Sequence, residues 1–581
     1  MLETFHLHSS SPRPPLRIGL FLDSFLLPAW IETILEHLRR SNFAWLELAV
    51  LNAEDPPAGQ ERPRRAAWPA RLWRCLTDSR VRRAALYSLY SCWDAAQHPV
   101  APDPFRIVDC TERLAGLECI PMKPLRQRAV HRFTPEQVQR IRDRALDVIL
   151  CFGFNIIRGE VLNAARYGVW SYHHGDNDYY RGGPAHFWEL FEENPFSGVL
   201  LQVLNEELDG GLVLCKAHLA TEQGSSLIHN RVRPYWVGSL FVIRKLHELH
   251  QYGWEQVLAR TLPNRPHPGQ RKLYRIPTNR EMVGFLARRL VKSAQARLTR
   301  REHIWHWRIA LRPSALGGLS ADAAPDMRGF RWIESPKGHF YADPFPLPHG
   351  GKTWLFFEDF RHADNRGVIS CAEILEEGTL SAPREVLQRP YHLSYPFVFE
   401  DGSEIYMIPE SGDNRTVELY RATAFPYRWE QARLLFSGVP AWDTTLWMED
   451  GLFWFFVTMA DPPGAGTQLF LFYADGLLGR WNYHPANPIC PHEQRARGAG
   501  AIFRHQGRRI RPSQDVSRGY GYSFAWNEIT RLTPTEYQEQ LIFEVLPSWA
   551  PGLAGTHTYN RTPRWEVVDG KISGPRSRFV A

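Results

Sequence analysis

The chain has 581 residues, 44% hydrophobic and 23% charged, with a net charge of +7 from 69 Lys and Arg against 62 Asp and Glu. Domains usually hold about 100–200 residues, so two or three are expected. The mild positive charge admits an anionic substrate without pointing to nucleic acid, and no apolar run of about 18 residues calls for a membrane-spanning helix.

In chain order, RIGLFLDSF (17–25) reads as a short buried strand, AWIETILEHLRR (29–40) as a helix and WLELAVLNA (45–53) as a second strand. This is a β-α-β opening that predicts a parallel sheet. The apolar run near Ile18 carries Asp23 and follows no basic segment, so no signal peptide is expected. Residues 54–104, rich in Pro, Arg and Trp, are ambiguous. Thr134 is a predicted N-cap, with Pro135 at the first helical position. That helix leads into a strand at 147–154, and a further strand ends in GVWSYHH. Residues 196–219 predict two strands around a turn at Asp209-Gly210-Gly211, and 228–262 are predicted helical.

The domain division expected is an N-terminal α/β domain over 1–278, a helical linker over 279–325 and an all-β domain over 326–581. The basic helix at 280–303 reads as a solvated bridge, with a membrane-surface or acidic-partner contact left open. Beyond 326, short aromatic strands alternate with Gly-containing turns in units starting near 339, 391, 441, 498 and 555. A loose repeat of roughly fifty residues predicts a five-bladed β-propeller. Eight cysteines show neither a C-x-x-C pair nor metal-ligand spacing. They are read as reduced thiols of a cytoplasmic protein with no metal. No basic stripe with interleaved aromatics marks a nucleic-acid surface.

The segment SYHHGDNDYYRGG (171–183) carries the first resemblance. A strand ending at His173, the loop Tyr180-Arg181-Gly182 and the turn at Asp209 resemble, in order and spacing, the folate-dependent formyltransferase family, over about 17–278. The resemblance implies a Rossmann-like fold and formyl transfer from 10-formyltetrahydrofolate to an amine, of an amino sugar or nucleotide-sugar. It implies His173 as donor and proton relay, with Asp209 orienting that ring. Phe152, Gly153, Phe154 and Ile156 fall where relatives hold the pterin. Ser171 stands where the family has Asn, so an oxyanion donor is shortened, with His174 or Asn177 as substitutes; losing such a donor typically costs about 10²–10³ in rate. His174 and Asp176 are substrate contacts or loop bonds, and Arg181 with Tyr180 fixes a turn or binds the ligand.

The second half resembles the propeller of family 43 glycoside hydrolases, and more closely the propeller domain of plant glucosamine inositolphosphorylceramide transferases. The resemblance rests on YADPF, FFED, SYPFVFEDGSEIYMIPES, WDTTLW, RPSQD and GTHTYN. It implies Asp343 as base, Glu410 as acid and Asp443 as modulator, with Gln514, Asp515 and His557 lining the same axis. Glycan cleavage, transfer, binding and a purely structural role stay open for these residues. The alternative to formyl transfer is a glycan-active propeller carrying a degenerate formyltransferase scaffold.

Overall fold

A near-continuous apolar run, Leu16–Leu22, forms an interior strand of a seven-stranded sheet, as burial on both faces requires. The computed structural model describes residues 7–53, 83–127, 129–264, 272–300, 303–314, 325–460, 467–490 and 492–580. The chain divides into two compact units, Met1–Lys292 and Ser293–Pro463 with Thr467–Ala581. Residues 54–82 of the ambiguous stretch lie outside the described residues; Ala85–Gln97 is a helix.

In unit one the sheet order is Leu212–Ala220, Phe196–Val203, Val169–His173, Val148–Cys151, Leu16–Leu22, Ala44–Asn52, Glu118–Met122. The last five run parallel, and the first two add an antiparallel edge. Helices Ala29–Arg40, Leu227–Ser239 and Phe241–Tyr252 bury their apolar stripes in one core, while Pro135–Arg142 packs in a second. Thr134 caps that helix: its hydroxyl accepts from the Gln137 amide at 3.3 Å, and the Gln137 side chain accepts from the Thr134 amide at 3.0 Å.

Among the described residues, unit two is built from five antiparallel sheets. Four of them take four consecutive strands each, beginning at His339, Ser394, Ala441 and Phe503. The fifth joins both ends of the unit: Arg331–Ile333, His303–Pro313, Trp565–Pro575 and Leu553–Gly555, with Tyr559–Arg561 also paired to Trp565–Pro575. Residues 303–313, expected inside a helical linker, are therefore a strand. They pair rung for rung with 565–575, from His303 opposite Pro575 to Pro313 opposite Trp565, and bury Trp307, Ile309 and Leu311. Among the described residues of the linker, the helix is Asn279–Arg300.

The first strands of three successive sheets share a deformation. The pairing slips between Ala342 and Phe345, between Ser394 and Phe397, and between Trp442 and Thr445. Each bulge holds one non-glycine residue at positive φ: Asp343 at 49°, Tyr395 at 43° and Asp443 at 49°. Bulges re-aim side chains, and such strained backbone persists only where surrounding contacts hold it.

Candidate functional site

In unit one the predicted residues gather at the carboxyl ends of strands Val148–Cys151 and Val169–His173, where open α/β sheets place their ligands. Phe152, Gly153, Phe154, Ile156, Ser171, His174 and Asp209 line a cavity of 300 Å³. Glycine is required at 153, because a Cβ would sit 2.4 Å from the Asp23 amide nitrogen. His173 Nδ1 faces Asp209 Oδ1 at 3.4 Å, and its Nε2–H donates to the Tyr180 carbonyl at 2.7 Å. Burial would lower the imidazole pKa, but the Asp209 carboxylate outweighs it and leaves the pKa raised. With an acceptor at each nitrogen, the protonated form of the ring is favoured.

The neighbouring residues bond within the loop. The Ser171 hydroxyl donates to the Cys151 carbonyl at 3.4 Å. His174 stacks on Tyr235 with centroids 3.6 Å apart, and burial drives its pKa well down. Asp176 accepts from Lys216 Nζ and His218 Nε2, each at 2.9 Å, and Lys216 also reaches Asp178 at 2.9 Å. Burial alone would raise the Asp176 carboxyl; His218 and Lys216 hold it far below the usual carboxylate range. Asn177 donates to Asn264 at 2.6 Å, Tyr180 accepts from Asn194 at 3.1 Å, and Arg181 donates to the Asn177 carbonyl and pairs with Glu207, both at 3.1 Å. Beneath lie two residues that sequence reasoning missed. Burial lifts Glu189 to about 8 and lowers His186 to about 3, so both are neutral at 3.8 Å separation.

In unit two the bulges bring Asp343 and Asp443 into one buried polar cluster with Glu410, Gln514 and His557. Asp343 accepts from Thr558 Oγ1 at 2.6 Å and from the Tyr395 amide at 3.2 Å. His557 lies 2.5 Å from Asp569 and 3.8 Å from Asp343, and its ring stacks on Trp307 at 3.9 Å. One ligand atom from each of Asp343, His557 and Asp569 lies within 4.8 Å of the others, a set able to hold a cation. Gln514 donates to the Gly498 carbonyl at 2.7 Å and approaches Asp443 at 3.4 Å. Asp515 is not drawn into these bonds: its carboxylate accepts from the Ser517 amide at 2.7 Å and closes a turn.

Arg497 and Tyr520, both unforeseen, complete this cluster. Arg497 grips Asp443 and reaches Glu410 at 3.5 Å. Its guanidinium stands 5.0 Å over the ring of Tyr520, which is 49% exposed. Burial and then Asp443 push the Glu410 carboxyl well up, with Arg497 opposing. Burial also lifts Asp343 to about 6, and Glu358 rises for the same reason. A buried carboxylic acid that keeps its proton near neutrality can serve as a general acid.

Fold and site together define a chain with an α/β unit and a five-sheet antiparallel unit holding a buried acidic cluster. Residues 333–552 match the family model described as glucosamine inositolphosphorylceramide transferase 1, N-terminal. The glucosamine inositolphosphorylceramide transferase 1 of Oryza sativa subsp. japonica is 37% identical over 206 residues, covering 35% of this chain and 28% of the relative. That of Arabidopsis thaliana is 34% identical over 208 residues, covering 35% of this chain and 27% of the relative. The chain thus spans little more than a quarter of the length of the curated relatives it matches. Among solved structures, glycinamide ribonucleotide transformylase 1 from Symbiobacterium toebii is similar at 13% identity, covering 42% of this chain and 93% of that one, with a TM-score of 0.27. A family 117 glycoside hydrolase from Zobellia galactanivorans is similar at 13% identity, covering 41% of this chain and 85% of that one, with a TM-score of 0.30.

These relatives correct the activity expected from the sequence. Their name specifies a glucosamine transferase, so formyl transfer is overturned, and the 10-formyltetrahydrofolate cofactor goes with it. The geometry of unit one supplies physical reasons. The Ser171 hydroxyl is spent on the Cys151 carbonyl, and both His173 nitrogens face acceptors of the protein itself. The cavity is lined by His174, whose ring is packed against Tyr235.

Proposed function

We propose that unit two is a five-bladed propeller whose central cluster receives a carbohydrate in a glycosyl-transfer reaction. The α/β domain over 1–278 is a scaffold of formyltransferase-like topology without one-carbon chemistry. The propeller extends over 326–581 and takes 303–313 into its closing blade. The observation that carries this reading is the placement of Asp343 and Asp443 at matching strained bulges, with Glu410 joined to Asp443 through Arg497. The names of the relatives supply the substrate class, a glucosamine donor and an inositolphosphorylceramide acceptor.

In the transfer, the acceptor hydroxyl oxygen bonds to the anomeric carbon as the bond from that carbon to the leaving oxygen breaks. The hydroxyl proton passes to Asp343, and Glu410 gives its proton to the leaving oxygen. The raised Glu410 pKa favours the protonated, proton-donating form. Tyr520 offers an exposed ring face for a sugar.

The test is incubation of the full chain with nucleotide-linked glucosamine and inositolphosphorylceramide, with the product read by mass spectrometry. Transfer is expected, lowered by about 10²-fold or more in Glu410→Gln. Absence of transfer together with absence of donor or acceptor binding by calorimetry refutes the reading. A second reading, carbohydrate binding without turnover, is favoured by the saturation of Asp343, which is buried and accepts from both Thr558 and Tyr395. Under it, Glu410→Gln leaves no transfer rate to change, and glycan affinity is the quantity that falls.

A further inference from the structure

Helix Asn279–Arg300 presents two apolar faces, and among the described residues one of them packs in unit one. Met282 and Phe285 are buried, with Phe285 packed on Tyr90, Phe187 and Phe191. On the other face Val283, Leu290 and Val291 are 58%, 72% and 56% exposed. Their spacing of seven and eight residues puts them on one stripe of a 3.6-residue helix, and Ala287 between them is exposed as well. Helix Ala85–Gln97 is tied alongside by the Leu86 amide donating to Asn279 Oδ1 at 3.0 Å, and it adds exposed Leu89 and Trp93.

The helix is basic. Residues 279–300 carry six Lys and Arg against a single Glu. Two of these cations donate to neutral acceptors, Arg288 to the Phe191 carbonyl at 3.2 Å and Arg289 to the Ser225 carbonyl at 2.7 Å. Lys292 pairs with Glu193 at 2.6 Å. No described helix is long and apolar enough to cross a membrane. A helix with an exposed apolar stripe flanked by Lys and Arg instead lies flat in a lipid interface, and an anionic surface adds attraction for each cation.

We infer that the Val283–Leu290–Val291 face of this helix docks unit one on an anionic lipid surface. The apolar side chains enter the headgroup boundary, Trp93 supplies an interfacial ring, and the basic flank holds the helix against lipid phosphates and carboxylates. The surface is independent of the acidic cluster in unit two, so either reading can fail without the other.

The full chain is sedimented with vesicles of phosphatidylcholine alone and with vesicles containing about 30% phosphatidylserine. Recovery with the anionic vesicles is expected to exceed that with the neutral ones by about tenfold and to be lost near ~0.5 M salt, as screening requires. The double variant Val283→Glu with Leu290→Glu, and separately Arg280→Glu, are expected to cut recovery by about tenfold while leaving the melting profile unchanged. Absence of pelleting, equal pelleting with both vesicles, or variants that bind like the wild type overturn the inference. A concentration-dependent dimer that Leu290→Glu dissolves overturns it too, because the stripe would then belong to a second copy of the chain.

Discussion

Arg497 clasps Asp443 through two hydrogen bonds, Nε to Oδ2 at 2.6 Å and Nη2 to Oδ1 at 3.1 Å, while the same guanidinium stands 3.5 Å from Glu410. One buried cation thereby serves two carboxyl groups from different sheets. It leaves Asp443 close enough to Glu410 to raise that group's pKa, and it keeps the pair from repelling outright.

Removing the cation exposes what it offsets. In Arg497→Met the two carboxyls face one another without a counter-charge, and breaking one side of a buried pair typically costs about 3–5 kcal/mol. The expected outcome is a lowered unfolding transition of unit two, resolved in a denaturant titration from that of unit one. Arg497→Lys, which lacks the planar fork, restores the transition only in part. A melting curve equal to that of the wild type for Arg497→Met sinks the prediction.

The carboxyls also set a pH dependence with a definite sign. Burial raises Asp343 to about 6, with His557 opposing and Asp569 adding. The unfolded carboxyl titrates near about 3.9, so between these values the native state keeps a proton that the unfolded chain has released. The resulting stability is full below about pH 4 and is lost as pH rises to about 6; two pKa units correspond to about 3 kcal/mol. His557 acts in the same sense. Burial would lower its pKa, Asp569 and Asp343 raise it, and its contribution is present below about pH 6.5 and lost above. Unfolding free energies of wild type and Asp343→Asn are to be compared from about pH 4 to about pH 8. The wild type is expected to lose ground against the variant as pH climbs, and a flat or opposite difference refutes the assignment.

How legible this was depends on range. Thr134 and Gln137 are three residues apart, and the capping box they form is written locally. Asp343 and Asp443 stood out because YADPF and WDTTLW fall at comparable points of successive repeat units, while the bulges that hold them were not legible in the sequence. Arg497 did not: in EQRARGAG it is one of two neighbouring arginines, and only the fold sets it on Asp443, 54 residues away. Strand His303–Pro313 escaped for the same reason. Its partner strand lies at the far end of the chain, where Arg312 meets Glu566 across 254 residues. In unit one the motif order was legible, but the hydrogen bonds that use up Ser171 and His173 were not, since they depend on the Cys151 and Tyr180 carbonyls.

Tyr395 occupies the bulge that holds Asp in the two flanking sheets, and its hydroxyl ties its sheet to the next through Thr445 and to the Gly500 loop that leads into the fourth. It accepts from the Gly500 amide at 2.8 Å, donates to the Gly500 carbonyl at 3.1 Å and lies 3.0 Å from Thr445 Oγ1. Gly500 itself sits at φ 132° with the Tyr559 carbonyl where a Cβ would go, so no side chain can replace the tie from that side. Tyr395→Phe strands a buried N–H, at a cost of about 1–3 kcal/mol. Chemical denaturation of the variant is expected to show that loss without a change of slope, whereas unchanged stability shows that water replaces the hydroxyl.

The Lys216 network offers a test in unit one. Lys216 is buried, bonded at 2.9 Å to both Asp176 and Asp178, and Asp176 depends on it and on His218 for its depressed pKa. A carboxyl whose folded pKa lies below its unfolded value contributes stability above the unfolded pKa and loses it as pH falls through the folded one. Lys216→Met removes one partner while keeping the bulk of the stem. It should raise the Asp176 pKa toward its ordinary value and cost about 3–5 kcal/mol at neutral pH, because a carboxylate is left buried with fewer partners. At low pH, with the Asp176 carboxyl protonated, the penalty should shrink. Carboxyl chemical shifts followed by NMR through an acid titration, together with melting at neutral and acidic pH, give both readings. A penalty equal at the two pH values would mean that Lys216 acts through the packing of its methylenes rather than through its charge.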